Sequence, residues 1–280
     1  MEMTRRDFLG TGAAVATASA TLPCLVAAQE SPAMSGRQAL HVPTRQANVE
    51  RLFKSPDHHP NALEATPDGL WVGDQVSEKV HKLDWDTGKV LLELQTDGHN
   101  TSGLAVGAGF LWIGSNGDVN GRRPPRPTDR AFGEITQADL KTGKVVKAHR
   151  LPWGGGIHGT TYSAETNTLW VTALSLRAIA EIDVRDKMRI VRMFPAPYDR
   201  AHGLSWDSES MWVLYAGERL VRKFNPDGGR LLETIAISPT TDPDPHGMCI
   251  HRGYMYYCDA GLTAPGPGSS PGWICRFKLQ

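Results

Sequence analysis

The sequence has no excess of either charge, since 30 Lys and Arg side chains are matched by 30 Asp and Glu side chains in 280 residues. Such a chain lacks the broad positive field with which nucleic-acid-binding proteins attract phosphates, so no nucleic-acid partner is expected. Long apolar runs are also missing outside the N-terminal end, which excludes a bundle of transmembrane helices. Apolar stripes with a 3.6-residue period are absent too, and the pattern therefore favours strands.

Several common catalytic signatures are missing as well. There is no Gly-x-Ser-x-Gly elbow, no Walker loop and no dinucleotide fingerprint after a strand. The three glycines at 154–156 are not followed by a helical pattern, so they do not form a phosphate loop. Chemistry must therefore be sought in another pattern of residues.

Cysteine is scarce, with four residues in the whole chain. Cys24 lies in a predicted leader, and Cys249, Cys258 and Cys275 lie near the C-terminus. In an oxidising compartment Cys258 and Cys275 are predicted to pair across a hairpin centred near residues 266 and 267, with Cys249 as a buried free thiol. Three unpaired core cysteines are the alternative.

The N-terminal end has the pattern of a targeting segment. Two arginines at positions 5 and 6, followed by Phe8-Leu9 and a weakly apolar run, resemble a twin-arginine export signal. A plain Sec signal or a membrane anchor is the alternative. Small residues predict cleavage after Ala28, giving a leader at 1–28, a polar linker at 29–45 and a folded domain at 46–280. The resemblance implies the twin-arginine machinery as a partner, a bacterial periplasmic or secreted protein, and no membrane contact after cleavage.

An aromatic strand recurs five times in the rest of the chain. The aromatic residues are spaced by 41, 58, 42 and 44 residues, and they are Trp71, Trp112, Trp170, Trp212 and Tyr256. Each is followed by an alternating strand, a polar turn and a further alternating strand. Four strands in 40–50 residues is the period of a propeller blade. We predict that the four tryptophans pack between neighbouring blades.

The two ends of the repeat are predicted to close the ring. The fifth unit ends after its third strand, and residues 48–53 have the pattern of a missing fourth strand. Pairing of these segments would remove an exposed edge. The predicted fold is therefore all-β, a single five-bladed β-propeller closed by an N-terminal strand, with six blades as the fallback.

A histidine recurs at the start of each unit. The five are His59, His99, His158, His202 and His246, with His58 as a substitute for His59 and His99 offset by one position. Inner strands of a propeller line its channel, so these imidazoles are predicted to meet at one mouth. Converging neutral imidazoles favour a transition metal, with zinc expected and iron or copper as alternatives. A His-Gly turn repeated by duplication, in which the imidazole caps a backbone carbonyl and binds no ligand, is the competing interpretation.

Further candidates lie on loops predicted to open on the same face. Arg122, Arg123 and Arg126 belong to a long proline-rich loop that would bind a carboxylate, sulfate or phosphate, unless it is simply a solvated surface loop. Trp153 precedes His158 and adds an aromatic surface. The candidate general acids or bases end second strands, and they are Asp74, Tyr215 and Asp259.

The repeat resembles known enzyme families. From His202-Gly203-Leu204 to Met211-Trp212-Val213, and again at His246-Gly247-Met248, it is similar to blades of streptogramin B lyases and NHL-like propellers. It is also similar to peptidylglycine amidating lyases, in which histidines on inner strands hold a metal. Those families have six or seven blades, and the motif of the five-bladed glutaminyl cyclases is not visible. The resemblance implies metal-assisted C–O or C–N cleavage at the five histidines.

The predicted function is therefore an exported, metal-dependent lyase or lactonase-like hydrolase acting on a small organic, anionic substrate. The metal would polarise a substrate oxygen or activate water. Two alternatives stay open at this point: a redox enzyme that uses iron or copper with oxygen, and a non-catalytic binding propeller.

Overall fold

The structure is a computed structural model, and it describes residues 42–119, 122–198, 200–260 and 271–280. The predicted leader, including the cleavage point after Ala28, lies outside these residues, as does the predicted linker up to residue 41. Within the described residues no helix has the length and hydrophobicity needed to cross a membrane. Among the described residues, all regular secondary structure is β-strand except one short 3₁₀ turn at Leu174–Leu176.

Five four-stranded antiparallel blades follow one another along the chain. The first blade contains β3 (Pro60–Thr66), β4 (Gly69–Asp74), β5 (Lys79–Leu83) and β6 (Val90–Gln95). The second contains β7 (Thr101–Gly107), β8 (Phe110–Ser115), β9 (Glu134–Asp139) and β10 (Val145–Arg150). The third contains β11 (Thr160–Ser163), β12 (Thr168–Ala173), β13 (Ala178–Asp183) and β14 (Arg189–Pro195).

The last two blades also use strands from the N-terminal end. The fourth contains β15 (Ala201–Trp206), β16 (Met211–Tyr215), β17 (Leu220–Phe224) and β18 (Leu231–Ala236), to which β1 (Thr44–Gln46) adds a parallel outer strand. The fifth contains β19 (Pro245–His251), β20 (Tyr254–Asp259) and β21 (Trp273–Lys278), completed by β2 (Glu50–Lys54). The predicted five-bladed propeller and its closure by an N-terminal strand are confirmed. The predicted linker, residues 29–45, ends within β1, which begins at Thr44.

The aromatic residues pack between blades as predicted. Trp71 lies in a cluster with Leu104 and Leu111 of the second blade, and Trp112 packs similarly against the third. Trp170 and Trp212 contact the fourth and fifth blades in the same way. All four indoles are at most 4% exposed. A single antiparallel sheet cannot bury both faces, so these contacts join the blades into one core.

The predicted disulfide is wrong, because the cysteines of the described residues are all free and buried. Cys275 pairs in register with Tyr257, whereas Cys258 pairs with Ile274. Side chains at successive register positions point to opposite faces of a sheet. Cys258 and Cys275 accordingly lie in two different core clusters. Burial raises the pKa of the Cys275 thiol to about 12, which suits an inert core residue.

Candidate functional site at the channel mouth

The strand register defines which residues are equivalent at the start of each blade. In every blade one inner-strand residue pairs with the repeated aromatic residue: Glu64, Ala105, Thr161, Ser205 and Cys249. The residue three positions earlier gives a ring of equivalent side chains, which we call the axial ring: Asn61, Ser102, His158, His202 and His246. All five are at most 5% exposed.

This register corrects the sequence alignment of the histidines. The hairpin of the third blade is longer by two residues, which shifts His158 to 12 positions before its tryptophan. A count of 12 positions back from Trp71 in the first blade reaches His59, but the residue equivalent to His158 by strand register is Asn61. In the second blade the equivalent residue is Ser102, not His99. Three of the five predicted histidines therefore belong to the axial ring.

Glycines explain how the inner strands come together. A Cβ atom on Gly159 would lie 2.6 Å from the carbonyl oxygen of His202, and one on Gly203 would lie 2.9 Å from that of His246. Gly247 lies equally close to the first blade, because a Cβ atom on it would lie 2.7 Å from the carbonyl oxygen of Asn61. Real Cβ atoms do not approach backbone this closely, so these positions require glycine. The His-Gly pairs thus fix each histidine backbone against the neighbouring blade.

Three imidazoles occupy one side of the axial ring, which we call the histidine arc (His158, His202 and His246). Ring centroids of His158 and His202 are 4.4 Å apart, and those of His202 and His246 are 4.7 Å apart, with edge-on geometry in both pairs. The Nδ1 atom of His158 and both ring nitrogens of His202 are buried without a hydrogen-bond partner. Unpartnered buried polar atoms are unusual in folded proteins and mark sites where another group binds.

The histidine arc is held in the neutral form. Burial lowers the pKa of His158 to about 3 and that of His246 to about 4, with Arg200 contributing to both shifts. Burial also places the pKa of His202 well below its ordinary value, and the two flanking histidines add to this effect. Neutral imidazole is the form that ligates metals or exchanges a proton with a substrate.

The other side of the axial ring is a hydrogen-bonded network, which we call the amide arc (Asn61 and Ser102 with Gln75 and Asn100). The Nδ2 atom of Asn61 donates to Oγ of Ser102 at 3.2 Å, and Nε2 of Gln75 donates to the same oxygen at 3.2 Å. Gln75 also donates to Oδ1 of Asn100 at 2.5 Å. All four side chains are at most 4% exposed. This network satisfies its polar groups internally.

Charged groups surround both arcs. Arg122 donates through Nη1 to Oδ1 of Asn100 at 3.3 Å, and its pKa is lowered by burial and by the nearby Arg200. Both guanidinium groups help to lower the pKa of His158 and His202. The two guanidinium groups beside neutral imidazoles are donors suited to an anionic ligand. Carboxylates are also present, since Oδ2 of Asp244 lies 3.5 Å from Nδ1 of His246 and Asp259 acts electrostatically on the same ring.

His59 lies at this mouth, although not in the axial ring. Burial lowers its pKa, while Asp74 and Asp259 raise it by attraction and Gln75 accepts a hydrogen bond from its ring. His99 lies outside the axial ring, and its Nδ1 is 3.7 Å from Oε1 of Glu134. The strand register therefore places three of the five predicted imidazoles in the ring, and Ser102 takes the position in the blade of His99. The exposed His58 has other contacts and does not replace a ring residue.

The predicted acid–base candidates have different environments. The carboxylate of Asp74 accepts three backbone N–H groups, from His59 at 2.6 Å, Val76 at 2.9 Å and Ser77 at 2.8 Å, so it orders a turn. Tyr215 is fully buried in the core between blades and its hydroxyl has no partner, so it does not reach the mouth. Burial raises its pKa. Asp259 is half-buried and acts electrostatically on His59 and His246, which places it at the site.

The predicted binding residues also divide. Arg123 forms a pair of 2.7 Å hydrogen bonds with Asp129 and ion-pairs with the buried Glu78 at 3.3 Å, so it anchors its loop. Asp129 has its pKa lowered to about 2 mainly by Arg123. Arg126 is exposed. Trp153 packs against the core between the second and third blades. Of these four candidates, Arg122 alone acts electrostatically on the histidine arc.

Sequence reasoning missed Arg200, Asp244, Asn61 and Ser102. Arg200 and Asp244 each lie two positions before a ring histidine, and His59 and Asn100 occupy the same place in their blades. The signal that would have found them is a count back from each aromatic residue, ten positions to Asn61 and Ser102 and twelve to Arg200 and Asp244, corrected for the longer third hairpin. That correction depends on strand pairing, which the sequence does not display.

The described residues contain no group of three His, Cys, Asp or Glu side chains arranged as a metal site. The chemistry of the histidine arc nevertheless fits a metal, since its imidazoles are neutral and three of its buried ring nitrogens have no partner. The structure therefore contains suitable donors without an assembled ligand set.

Comparison with known proteins supports the fold. No family model matches the sequence, and no curated protein matches it. The glutaminyl cyclase of Myxococcus xanthus is similar in structure, with 11% identity over 85% of this chain and all of that one, and a TM-score of 0.58. A luciferin-regenerating enzyme has 13% identity over 83% of this chain and 95% of that one, with a TM-score of 0.50. A streptogramin B lyase has 17% identity over 83% and 87%, with a TM-score of 0.47. The structural neighbours thus include enzymes, and at these identities they establish the propeller architecture.

Proposed function

We propose that this chain is an enzyme that cleaves a C–O or C–N bond of a small anionic molecule at the histidine arc. The observation that carries the proposal is the combination of neutral imidazoles, three of whose buried ring nitrogens lack a partner, with two guanidinium groups that act electrostatically on them. Arg122 and Arg200 would bind the anionic group, since paired guanidiniums recognise carboxylates and phosphates well. The imidazoles would contact the bond that breaks.

We further propose that a divalent transition metal binds to His158, His202 and His246. Zinc is the expected ion, with iron or copper as alternatives, because imidazole ligands suit all three. A bound metal would supply Lewis-acid activation of a substrate oxygen or of water. The nearby arginines would oppose the positive charge of a metal, and an anionic substrate would compensate for that repulsion.

The chain's own residues would then orient the substrate and move a proton. His59 accepts or donates a proton at the edge of the site, because its pKa is lowered by burial while Asp74 and Asp259 oppose that shift. Gln75 orients the ring of His59 by accepting its hydrogen bond. Asp259 adds negative charge on the side of His246. Loss of the proton carrier should lower kcat more than it changes KM.

The test is turnover of a panel of small anionic lactones, esters and eliminable ethers by the mature protein. We expect at least one to be cleaved by the wild-type protein, and the double variant His158→Ala/His246→Ala to lose this activity with an unchanged circular dichroism spectrum. The matched control is Ser102→Ala on the amide arc, which should retain activity. Equal activity in the double variant and the wild type would overturn the proposal.

A second candidate is a metal-free binding propeller, and the lack of an assembled ligand set among the described residues favours it. In this case the arginines and neutral imidazoles bind an anion without cleaving it. Binding of anions by metal-free protein, unaffected by added zinc and without product, would select this candidate.

We also propose export by the twin-arginine route, on the basis of the leader sequence. Because this route transports folded proteins, a metal would be loaded before export. Changing Arg5 and Arg6 to Lys should retain the precursor in the cytoplasm, whereas export of the variant at the wild-type rate would exclude the route.

A further inference from the structure

Two cavities share Arg200 in their lining, and one of them also includes His246 of the histidine arc. The first, which we call the polar cavity, has a volume of about 290 Å³ and is lined by Arg200, Ala216, Gly217, Arg219, Asp244 and His246. The second, which we call the alanine cavity, has a volume of about 300 Å³. Its lining combines two arginines, Arg177 and Arg200, with small or apolar residues: Ala173, Leu174, Ala178, Ala196, Ala201 and Tyr198. A molecule bound at Arg200 can therefore extend in two chemically different directions.

The alanine cavity lies where the third and fourth blades meet. Its small side chains are at strand ends, as with Ala173 at the end of β12 and Ala178 at the start of β13. Tyr198 also lines the cavity. The guanidinium of Arg222 lies 3.7 Å from the centroid of its ring, and the ring of Tyr215 packs against it with centroids 5.2 Å apart. These contacts hold the tyrosine in place, so the cavity has a supported wall.

Arg200 is the available cation between the two cavities. It makes no hydrogen bond or ion pair with another of the described residues, whereas Arg219 is engaged by Asp244 at 2.8 Å and by three backbone carbonyls. Arg177, at the edge of the alanine cavity, donates to the carbonyl of Pro197. Arg200 also has a φ of 47°, a conformation that costs free energy in a non-glycine residue and is common at functional sites.

We propose that the natural ligand of this mouth is a small monocarboxylate with an apolar arm. Its carboxylate binds Arg200, its arm fills the alanine cavity, and the bond next to the carboxylate faces His246. The volume of the alanine cavity equals that of about ten water molecules, so it holds an arm the size of a hexyl or phenyl group. This inference deepens the proposed function by naming its substrate class.

The test is a series of binding measurements on the mature protein with acetate, butyrate, hexanoate and phenylacetate. Burial of each added methylene should increase affinity about fourfold, the equivalent of about 0.8 kcal/mol. Leu174→Trp fills the cavity and should remove the dependence on chain length while acetate still binds. Leu176→Trp is the matched control, because Leu176 belongs to the same short turn but is exposed at 46% and lies outside the cavity.

Two results would overturn the inference: affinity that is independent of chain length, or adipate binding more tightly than hexanoate, which would assign a second anion to Arg177. Arg200→Ala should weaken every carboxylate by at least tenfold. These measurements need neither metal nor turnover. Chain-length dependence without any cleavage would therefore contradict the proposed function alone, whereas cleavage without chain-length dependence would contradict the inference alone.

Discussion

The ring residues of the amide arc and of the histidine arc occupy equivalent backbone positions, but their buried polar atoms have different hydrogen-bonding environments. On the amide arc, Asn61, Ser102 and Gln75 satisfy one another through hydrogen bonds of 3.2 Å. On the histidine arc, His202 is equally buried but both of its ring nitrogens lack a partner. An internally satisfied network stabilises a fold, while buried polar atoms without partners cost free energy.

This difference separates architecture from function within one repeat. Because the backbone is the same, close packing of the inner strands does not by itself require histidine at the ring position. Asn61 and Ser102 occupy that position without harm in the first two blades. Three successive histidines on the remaining blades thus need another explanation, and the ligand proposed above would provide it.

The largest expected effect is the loss of turnover when the histidine arc is altered. His202→Ala should lower kcat by about 10³-fold or more, because the central imidazole contacts both of its neighbours. Asn61→Ala should change kcat by less than tenfold while lowering the free energy of unfolding by ~1–2 kcal/mol. Steady-state kinetics and urea unfolding of both variants measure the contrast. Equal losses of kcat would remove the distinction between the arcs.

The next effect concerns the glycines that follow the ring histidines. Gly203→Ala should lower the free energy of unfolding by ~3 kcal/mol, because its Cβ would lie 2.9 Å from the carbonyl oxygen of His246. Ala62 occupies the equivalent position in the first blade, so Ala62→Gly is the matched control and should cost about 1 kcal/mol. Thermal and denaturant unfolding test this pair. A neutral Gly203→Ala variant would show that the inner strands have room to separate.

A third prediction follows from the lowered pKa values of the histidine arc. In metal-free protein the unfolded histidines protonate below pH 6.5, while His158 and His246 stay neutral to about pH 3 and 4. The unfolded state therefore binds more protons, and stability falls as pH decreases from 6.5 towards 4, by ~2 kcal/mol per histidine at pH 5. His158→Gln/His246→Gln should have a flatter dependence of stability on pH. A profile identical to that of the wild type would contradict the assigned neutral state.

A smaller effect is expected at Tyr215. Its buried hydroxyl has no partner, so Tyr215→Phe should keep activity unchanged and raise the free energy of unfolding by up to ~1 kcal/mol. Unfolding curves and kcat measure both outcomes. A large loss of kcat would restore Tyr215 as a catalytic residue.

The smallest effect concerns the arginine loop. Arg126 is exposed, so Arg126→Ala should leave activity and stability within error, whereas Arg123→Ala should destabilise the loop because it removes the contacts to Asp129 and Glu78. Limited proteolysis of the two variants would show the difference. Equal cleavage rates would mean that Arg123 does not anchor the loop.

Periodicity made the fold predictable from the sequence. The repeated Trp residues report a packing contact that recurs in each blade, and the pattern at residues 48–53 reports the strand that closes the ring. The site was only partly predictable, because the position of a side chain in the ring depends on strand register. Two extra residues in the hairpin between β11 and β12 were enough to assign His59 in place of Asn61.

The disulfide and Tyr215 were mispredicted for a related reason. Cys258 and Cys275 are near in the sequence and on neighbouring strands, but an offset of one register position sends them to opposite faces. Tyr215 follows the aromatic residue of its blade by three positions, like Asp74 and Asp259, yet its ring points into the core. Arg200 belongs to no known sequence motif, and the role proposed for it rests on its place in the lining of two cavities.

The most direct test of the account is elemental analysis of the protein expressed with its proposed leader in a host that supports twin-arginine export, and purified without chelator or nickel affinity resin. We predict about one equivalent of zinc, iron or copper in the wild type and in Asn61→Ala, and none in His202→Ala. Metal-free wild-type protein that also gains no thermal stability from added zinc, iron or copper would contradict the assignment of a metal to the histidine arc.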